Sequence, residues 1–303
     1  MIRFRKILCP VDFSPASLRA FDYALKFAKS HGARVHALHV VEPVMGAAYV
    51  VSIGAQSLAA EFEREAKRVL LKLKAKAAKA GVRVDTDVRV GDIDLGIRLS
   101  VDAQKADLVI MGSHGRRGFK RLVLGSVTER MIRHSAVPVM IIGPGRRPGS
   151  APSPVRSILV TTDFSDGTSD AVELALSIAK ESHAKVTLLH VVHDIAADIV
   201  GHYREALLGG VEVQLRKLVP ARGFEECEVE TRVGAGLPSR IIANMIKYEK
   251  FDLLVMNIHG KDFLDHAFIG STAERSLRAA AEICPVLLIP RKPAKRPGKT
   301  GKR

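Results

Sequence analysis

The sequence predicts two tandem α/β domains, each a doubly wound parallel sheet with helices on both faces. Three observations carry that reading. The chain has 303 residues, and at roughly 150 residues per domain this length suggests two cores. Segments of the first half return in the second. Within each half, apolar strand-like runs alternate with stretches of helical periodicity, the pattern of strands joined by crossover helices.

The repeat is legible residue by residue. KILCPVDFS (6–14) returns as SILVTTDFS (157–165), and LHVVE (38–42) as LHVVH (189–193), both at an offset of 151. GSHG (112–115) returns as NIHG (257–260), and LGSVTER (124–130) as IGSTAER (269–275), both at an offset of 145. AVPVMIIG (136–143) closes the first half as ICPVLLIP (283–290) closes the second. The change of offset places an altered loop or helix in the middle of each half. Residues 1–143 and 155–290 are therefore the domains, with a Pro/Gly/Ser/Arg linker over 144–154 and a basic flexible tail over 291–303.

In chain order, the first strand is KILCP, and Ser14 followed by Pro15 forms a good N-cap and first-turn pair for the first helix. Leu18, Phe21, Leu25 and Ala28 fall on one stripe of that helix. The second strand ends in LHVV, and Leu58, Phe62, Ala66, Val69 and Leu73 mark the next helix. VRVDTDVRV (82–90) alternates strictly, as an edge strand with one wet face does, whereas ADLVIMG (106–112) is nearly all apolar and reads as central. The fifth run, VPVMII (137–142), is apolar on both faces although no strand follows it in its half. A bare apolar edge invites aggregation, so its counterpart PVLLI (285–289) is the expected cover.

The chemistry concentrates after the fourth strand, where Gly112, Gly115 and Gly125-Ser126 follow the spacing G-x2-G-x9-G-S. Gly112 leaves the strand without a Cβ, and Gly115 is expected to take a positive φ that lets N–H groups converge on an anion. Gly125-Ser126 opens a helix whose free N–H groups attract phosphate, with Arg116, Arg117, Lys120 and Arg121 between. The plainer reading makes Ser126 with Glu129, and Ser271 with Glu274, capping boxes and the glycines turns. Asp12 at the tip of the first strand tips the balance, because ligands bind a doubly wound sheet at the carboxyl ends of its strands.

Together KILCPVDFS, LHVVE, GSHGRRGFKRLVLGSVTER and VPVMII resemble the universal stress protein family in its ATP-binding branch. The resemblance covers both halves and implies a strand order of 3-2-1-4-5, with pairing between fifth strands. It implies that Asp12 and the backbone of Val40 hold the adenosine end of ATP, and that Gly112, Gly115, Gly125, Ser126 and Val127 take ribose and phosphates. The matching second-half positions are Asp163, Val191, Asn257, Gly260, Gly270, Ser271 and Thr272. Asn257 departs from the glycine of the first half, its side chain is expected to take up nucleotide space, and KDFLDHAFI carries two acids where RRGFKRLVL carries none. The second site is therefore expected to be the weaker. Magnesium bridging the phosphates fits such a ligand, although few carboxylates are offered to hold it.

Other residues read as structural. His39 and His190 sit in apolar runs as core or near-core histidines, His114 and His259 lie in the glycine loops without a catalytic assignment, and Cys9 is a small buried hydrophobe. GAGLPS (234–239) lacks the third glycine of a dinucleotide fingerprint and follows the wrong strand. Cys9, Cys227 and Cys284 form no CxxC, which argues against a disulfide scaffold or zinc site and for a cytoplasmic protein. The N-terminus turns polar too soon for a secretory signal, and no apolar run reaches membrane-span length. The formal charge of +15 lies almost wholly in the tail, the linker and HGRRGFKR, which weakens the case for a nucleic-acid face.

The expected function is a nucleotide-dependent regulator in a stress response. Its two halves form an internal pseudo-dimer; a homodimer of whole chains and an unidentified protein partner stay open. A slow ATPase is the alternative, against which stands the absence of GxxxxGK[ST]. A second alternative gives the basic tail a nucleic acid or acidic partner.

Overall fold

The computed structural model describes residues 3–42, 54–115, 124–144, 155–165, 167–193, 201–258 and 270–290. The linker call (but for Pro144) and the basic tail lie outside them, as do Arg116, Arg117, Lys120, Arg121, His259 and Gly260.

The first half runs β1 (Lys6–Pro10), α1 (Pro15–His31), β2 (Arg34–Val41), α2 (Gly54–Lys79), β3 (Val84–Val90), α3 (Ile93–Gln104), β4 (Leu108–Gly112), α4 (Ser126–His134) and β5 (Val139–Ile142). The second runs β6 (Ser157–Thr162), α5 (Thr168–Ser182), β7 (Lys185–Val192), α6 (Gly201–Leu218), α7 (Ala221–Glu226), β8 (Val229–Ala235), α8 (Pro238–Glu249), β9 (Leu253–Asn257), α9 (Ser271–Ala281) and β10 (Val286–Ile289). The simple alternation expected for both halves therefore needs one correction. The single long helix α2 is matched by α6 and α7, because Pro220 cannot continue a helix and instead starts the short α7. The repeat changes its offset on either side of these helices, by four residues between β2 or β7 and the helix and by two between the helix and β3 or β8.

All ten strands join in one sheet of order β3-β2-β1-β4-β5-β10-β9-β6-β7-β8. Each half has the order 3-2-1-4-5, with parallel pairing throughout. The halves meet through antiparallel pairing of β5 with β10, where Met140 faces Leu287 and both are fully buried. The apolar fifth strands cover each other, as their sequences require. Alternating VDTDVRV lies at the outer edge, and all five residues of β4 are buried between β1 and β5.

Two apolar layers sandwich the sheet, and each runs through both halves: one holds Phe21, Ile110, Val160 and Leu174, the other Leu38, Ile132, Leu254 and Leu277. At the N-terminal ends of the strands, Asp107 accepts from the backbone N–H groups of Arg5 and Lys6, and Asp252 accepts from Arg156 N. Burial still raises the Asp107 carboxyl above its usual range, against the pull of those N–H donors. The candidate site lies at the opposite, carboxyl ends of the strands. Among the described residues, no helix is long and apolar enough to cross a membrane.

Candidate functional site

A turn at the end of β1 starts the site. Asp12, Phe13 and Ser14 carry the chain into α1, where Ser14 caps the helix by accepting from Ser17 N. Asp12 Oδ1 accepts from Ser14 N at 3.0 Å, fixing the carboxylate over the turn. Phe13 stands at a φ of 64°, and Phe164 at the matching place has a φ of 61°. A left-handed conformation costs a side-chain-bearing residue roughly 1–2 kcal/mol, so both halves hold the same local strain at their aspartate. The repeated DFS was the signal, and its backbone geometry is visible only in the folded turn.

Gly112 ends β4 against the first turn of α1: a Cβ there would lie 3.0 Å from the Ala16 carbonyl carbon and 3.2 Å from Ser17 N. Its glycine is thus required by packing against the chain itself. Gly115 corrects the sequence reading, since its φ is not positive. What excludes a side chain is Asp12, whose Oδ2 would be 2.6 Å from a Cβ at Gly115.

The start of α4 agrees with the reading that Gly125-Ser126 opens a helix, and not with the plainer capping-box reading. Gly125, not Ser126, is the N-cap, and no side chain caps the helix. Ser126 is already in the first turn, and Glu129 pairs with Arg133 rather than reaching back. No capping box forms, because Gly125 N is drawn to Ser113 O at 2.8 Å and Thr128 Oγ1 to Gly112 O at 2.9 Å. These bonds tie the helix start to the end of β4 and leave its N-terminus without a side-chain cap, which suits an anion.

A cavity of about 950 Å³ opens at this end of the sheet, and Asp12, Val40, Gly112, Gly115, Gly125, Ser126 and Val127 all line it. The sequence reading missed other parts of the wall. His39, His114 and Arg130 line it, and so do Phe62, Ala66 and Val69 of α2. Phe62 was counted as core-facing on its helical stripe, yet it is 47% exposed at the cavity mouth. The wall is polar at the start of α4 and mostly apolar along α2, where Glu65 also lines it, a shape for a ligand with an anionic end and an apolar end. His114 Nδ1 lies 3.0 Å from Ser113 Oγ. His39 is buried as expected. Among the described residues no group of three His, Cys, Asp or Glu could hold a metal ion.

In the second half, Asp163 Oδ1 accepts from Ser165 N at 3.0 Å, as Asp12 does from Ser14, and Val191 stands near the end of β7. Gly270 is again an N-cap without a side-chain bond, with Ser271 and Thr272 opening α9. The closure is looser: Gly270 N reaches Ile258 O at 3.5 Å, and Ala273 has no hydroxyl to offer where Thr128 bonds Gly112. Asn257 does not behave as expected. Its amide turns to the start of α5; with its O and N assigned so that both are satisfied, it accepts from Thr168 N at 3.0 Å and donates to Gly167 O at 3.1 Å, beside the bond from Thr168 N to Ser165 O at 3.0 Å. No side-chain bond from Gly167 caps α5, and the Asn257 amide adds to that helix start from the end of β9.

Solved structures share the whole fold. A universal stress protein from Archaeoglobus fulgidus matches with a TM-score of 0.72 at 24% identity, over 95% of this chain and 98% of that one. Another, from Pseudomonas aeruginosa, matches with a TM-score of 0.63 at 18% identity over 95% and 94%. By sequence, a universal stress protein of Methanocaldococcus jannaschii is 34% identical over 142 residues, which is 46% of this chain and 82% of that protein. One of Bacillus subtilis is 30% identical over 146 residues, 46% of this chain and 99% of that protein. These sequence relatives correspond in length to one half. The model of the universal stress protein family matches residues 3–143 and again 154–290, so this chain belongs to the universal stress protein family, with two of its domains in tandem.

Proposed function

We propose that the chain is an ATP-binding, nucleotide-dependent regulator of a stress response, with its principal site in the first half. The observation that carries this reading is the convergence of seven sequence-predicted positions on one cavity. In it, the phosphates sit at the uncapped start of α4, where the N–H groups of Ser126 and Val127 and the positive end of the helix meet them. Asp12 and the Val40 backbone take the ribose and base, and the apolar α2 wall covers the base. Arg130, on the α4 side, adds positive charge. A magnesium ion would be held mainly by the phosphate oxygens, since the site brings only scattered carboxylates.

The second half is a weaker site on this reading, because its helix start is tied less tightly to the end of β9. Domain boundaries of 1–143 and 155–290, with a linker over 144–154, agree with this division of labour. Three cysteines without a disulfide among them suit a cytoplasmic location. Regulation here means that occupancy alters shape or partners, without a chemical step.

Native mass spectrometry of the freshly purified chain, followed by calorimetric titration with ATP, tests the proposal. One tight site, carried on the first half, is expected. A chain that neither retains nor binds ATP, ADP or AMP would overturn it.

A further inference from the structure

The sequence treats His39 and His190 as core residues, yet both do the same thing beside an aspartate. His39 Nδ1 lies 2.6 Å from Val11 O. A carbonyl only accepts, so Nδ1 carries the proton and donates. The same ring stacks on Phe13, with centroids 4.4 Å apart at 22°. Val11 and Phe13 are the residues immediately before and after Asp12. In the second half, His190 Nδ1 lies 2.8 Å from Thr162 O, and its ring meets Phe164 at 4.5 Å. Thr162 and Phe164 flank Asp163 in the same way. In both copies the phenylalanine is the residue held at positive φ.

We propose that His39 and His190 are positioning residues: each grips both neighbours of its aspartate, holds the strained turn and so sets the direction of the carboxylate, which in the first half lines the ligand cavity. For the first half this rests on the nucleotide-site reading above. The hydrogen bond fixes the carbonyl before the aspartate, and the stacked ring keeps the left-handed phenylalanine from relaxing. Without either hold, the aspartate would lose its direction before the fold lost its core.

The two halves differ in what else supports the turn. Thr162 adds a hydroxyl that accepts from Phe164 N at 2.9 Å and pairs with Thr168 Oγ1 at 2.7 Å. Val11 has no such group; there Ser17 Oγ accepts from Asp12 N across a longer 3.3 Å. In both halves hydroxyl groups thus share the hold on the turn with the histidine.

The test uses the full chain with His39→Leu, His39→Asn, Phe13→Leu and His190→Leu. Amide hydrogen exchange at Ser14 and Ser165, read by NMR without nucleotide, reports each aspartate directly, because these N–H groups bond its Oδ1. Calorimetry with ATP reports the site. Losing one buried hydrogen bond predicts that His39→Leu speeds Ser14 exchange and weakens ATP binding, each by about ten-fold. His39→Asn, which keeps a side-chain N–H near Nδ1, restores both to within about three-fold of the unmodified chain. His190→Leu likewise speeds Ser165 exchange. Should His39→Leu fail to fold, Phe13→Leu decides, with faster Ser14 exchange expected. Unchanged Ser14 exchange in the folded variants, or no rescue by asparagine, overturns the proposal. Faster exchange with unaltered ATP affinity overturns the link to the ligand. If the unmodified chain does not bind ATP, the nucleotide reading falls, while exchange still decides whether the histidine positions Asp12.

Discussion

The carboxylate of Asp12 occupies the space that a side chain on Gly115 would need, with Oδ2 only 2.6 Å from the position of a Cβ. That distance is well inside carbon–oxygen contact, so the end of β1 and the loop after β4 are fitted to each other through one aspartate and one glycine.

Gly115→Ala should therefore displace Asp12 rather than unfold the chain. The obstructing atom is the end of a partly buried side chain that can swing away. We expect ATP affinity to fall by about ten-fold or more, about 1.4 kcal/mol, with stability changed by less than about 1 kcal/mol. Gly112→Ala, which meets α1 backbone, should instead cost about 1–3 kcal/mol of stability. Calorimetric titration beside thermal melts separates the two. Equal ATP affinity in Gly115→Ala and the unmodified chain would contradict the site.

Replacing Asn257 should weaken α5. With its O and N assigned to satisfy both, its amide serves Thr168 N and Gly167 O, so Asn257→Ala removes part of the capping of that helix, and the bond from Thr168 N to Ser165 O remains. Loss of a cap costs about 0.5–2 kcal/mol. Urea unfolding would register the change. Asn257→Gly should likewise destabilise the chain, and should not convert the second half into a tight ATP site.

Leu287 and Met140 lie opposite each other at the centre of the ten-stranded sheet, in a core shared by both halves. Leu287→Ala should cost about 2–5 kcal/mol. Differential scanning calorimetry should give a single transition that moves as a unit. Two separate transitions, with only the second displaced, would count against a shared core.

The thiols should differ in reactivity. Burial, helped by the nearby Asp22, pushes the Cys9 thiol far up, and Cys284 is also buried. Cys227 is partly exposed, but burial and Glu226 raise its thiol too. A disulfide reagent at pH 8 should label Cys227 slowly in the native protein and reach Cys9 and Cys284 only after unfolding, because the thiolate is the reacting form. Rapid labelling of Cys9 in the folded chain would refute its burial.

The sequence by itself determined the repeat, the class of fold, the edge place of VDTDVRV, the central place of LVIMG and the pairing of the two fifth strands. Each follows from a local pattern: strict alternation for one wet face, an unbroken apolar run for two dry ones. The resemblance in its motifs also carried the seven positions that converge on the cavity. Tertiary structure decided why those residues are what they are. Gly112 is small because α1 lies against it, Gly115 because Asp12 does, and Asn257 serves a helix 90 residues earlier. The left-handed Phe13 and the hold of His39 on Val11 are equally invisible in the chain. Such contacts join residues far apart in sequence, and hydrophobic periodicity records only which way a side chain faces, not what it will meet there.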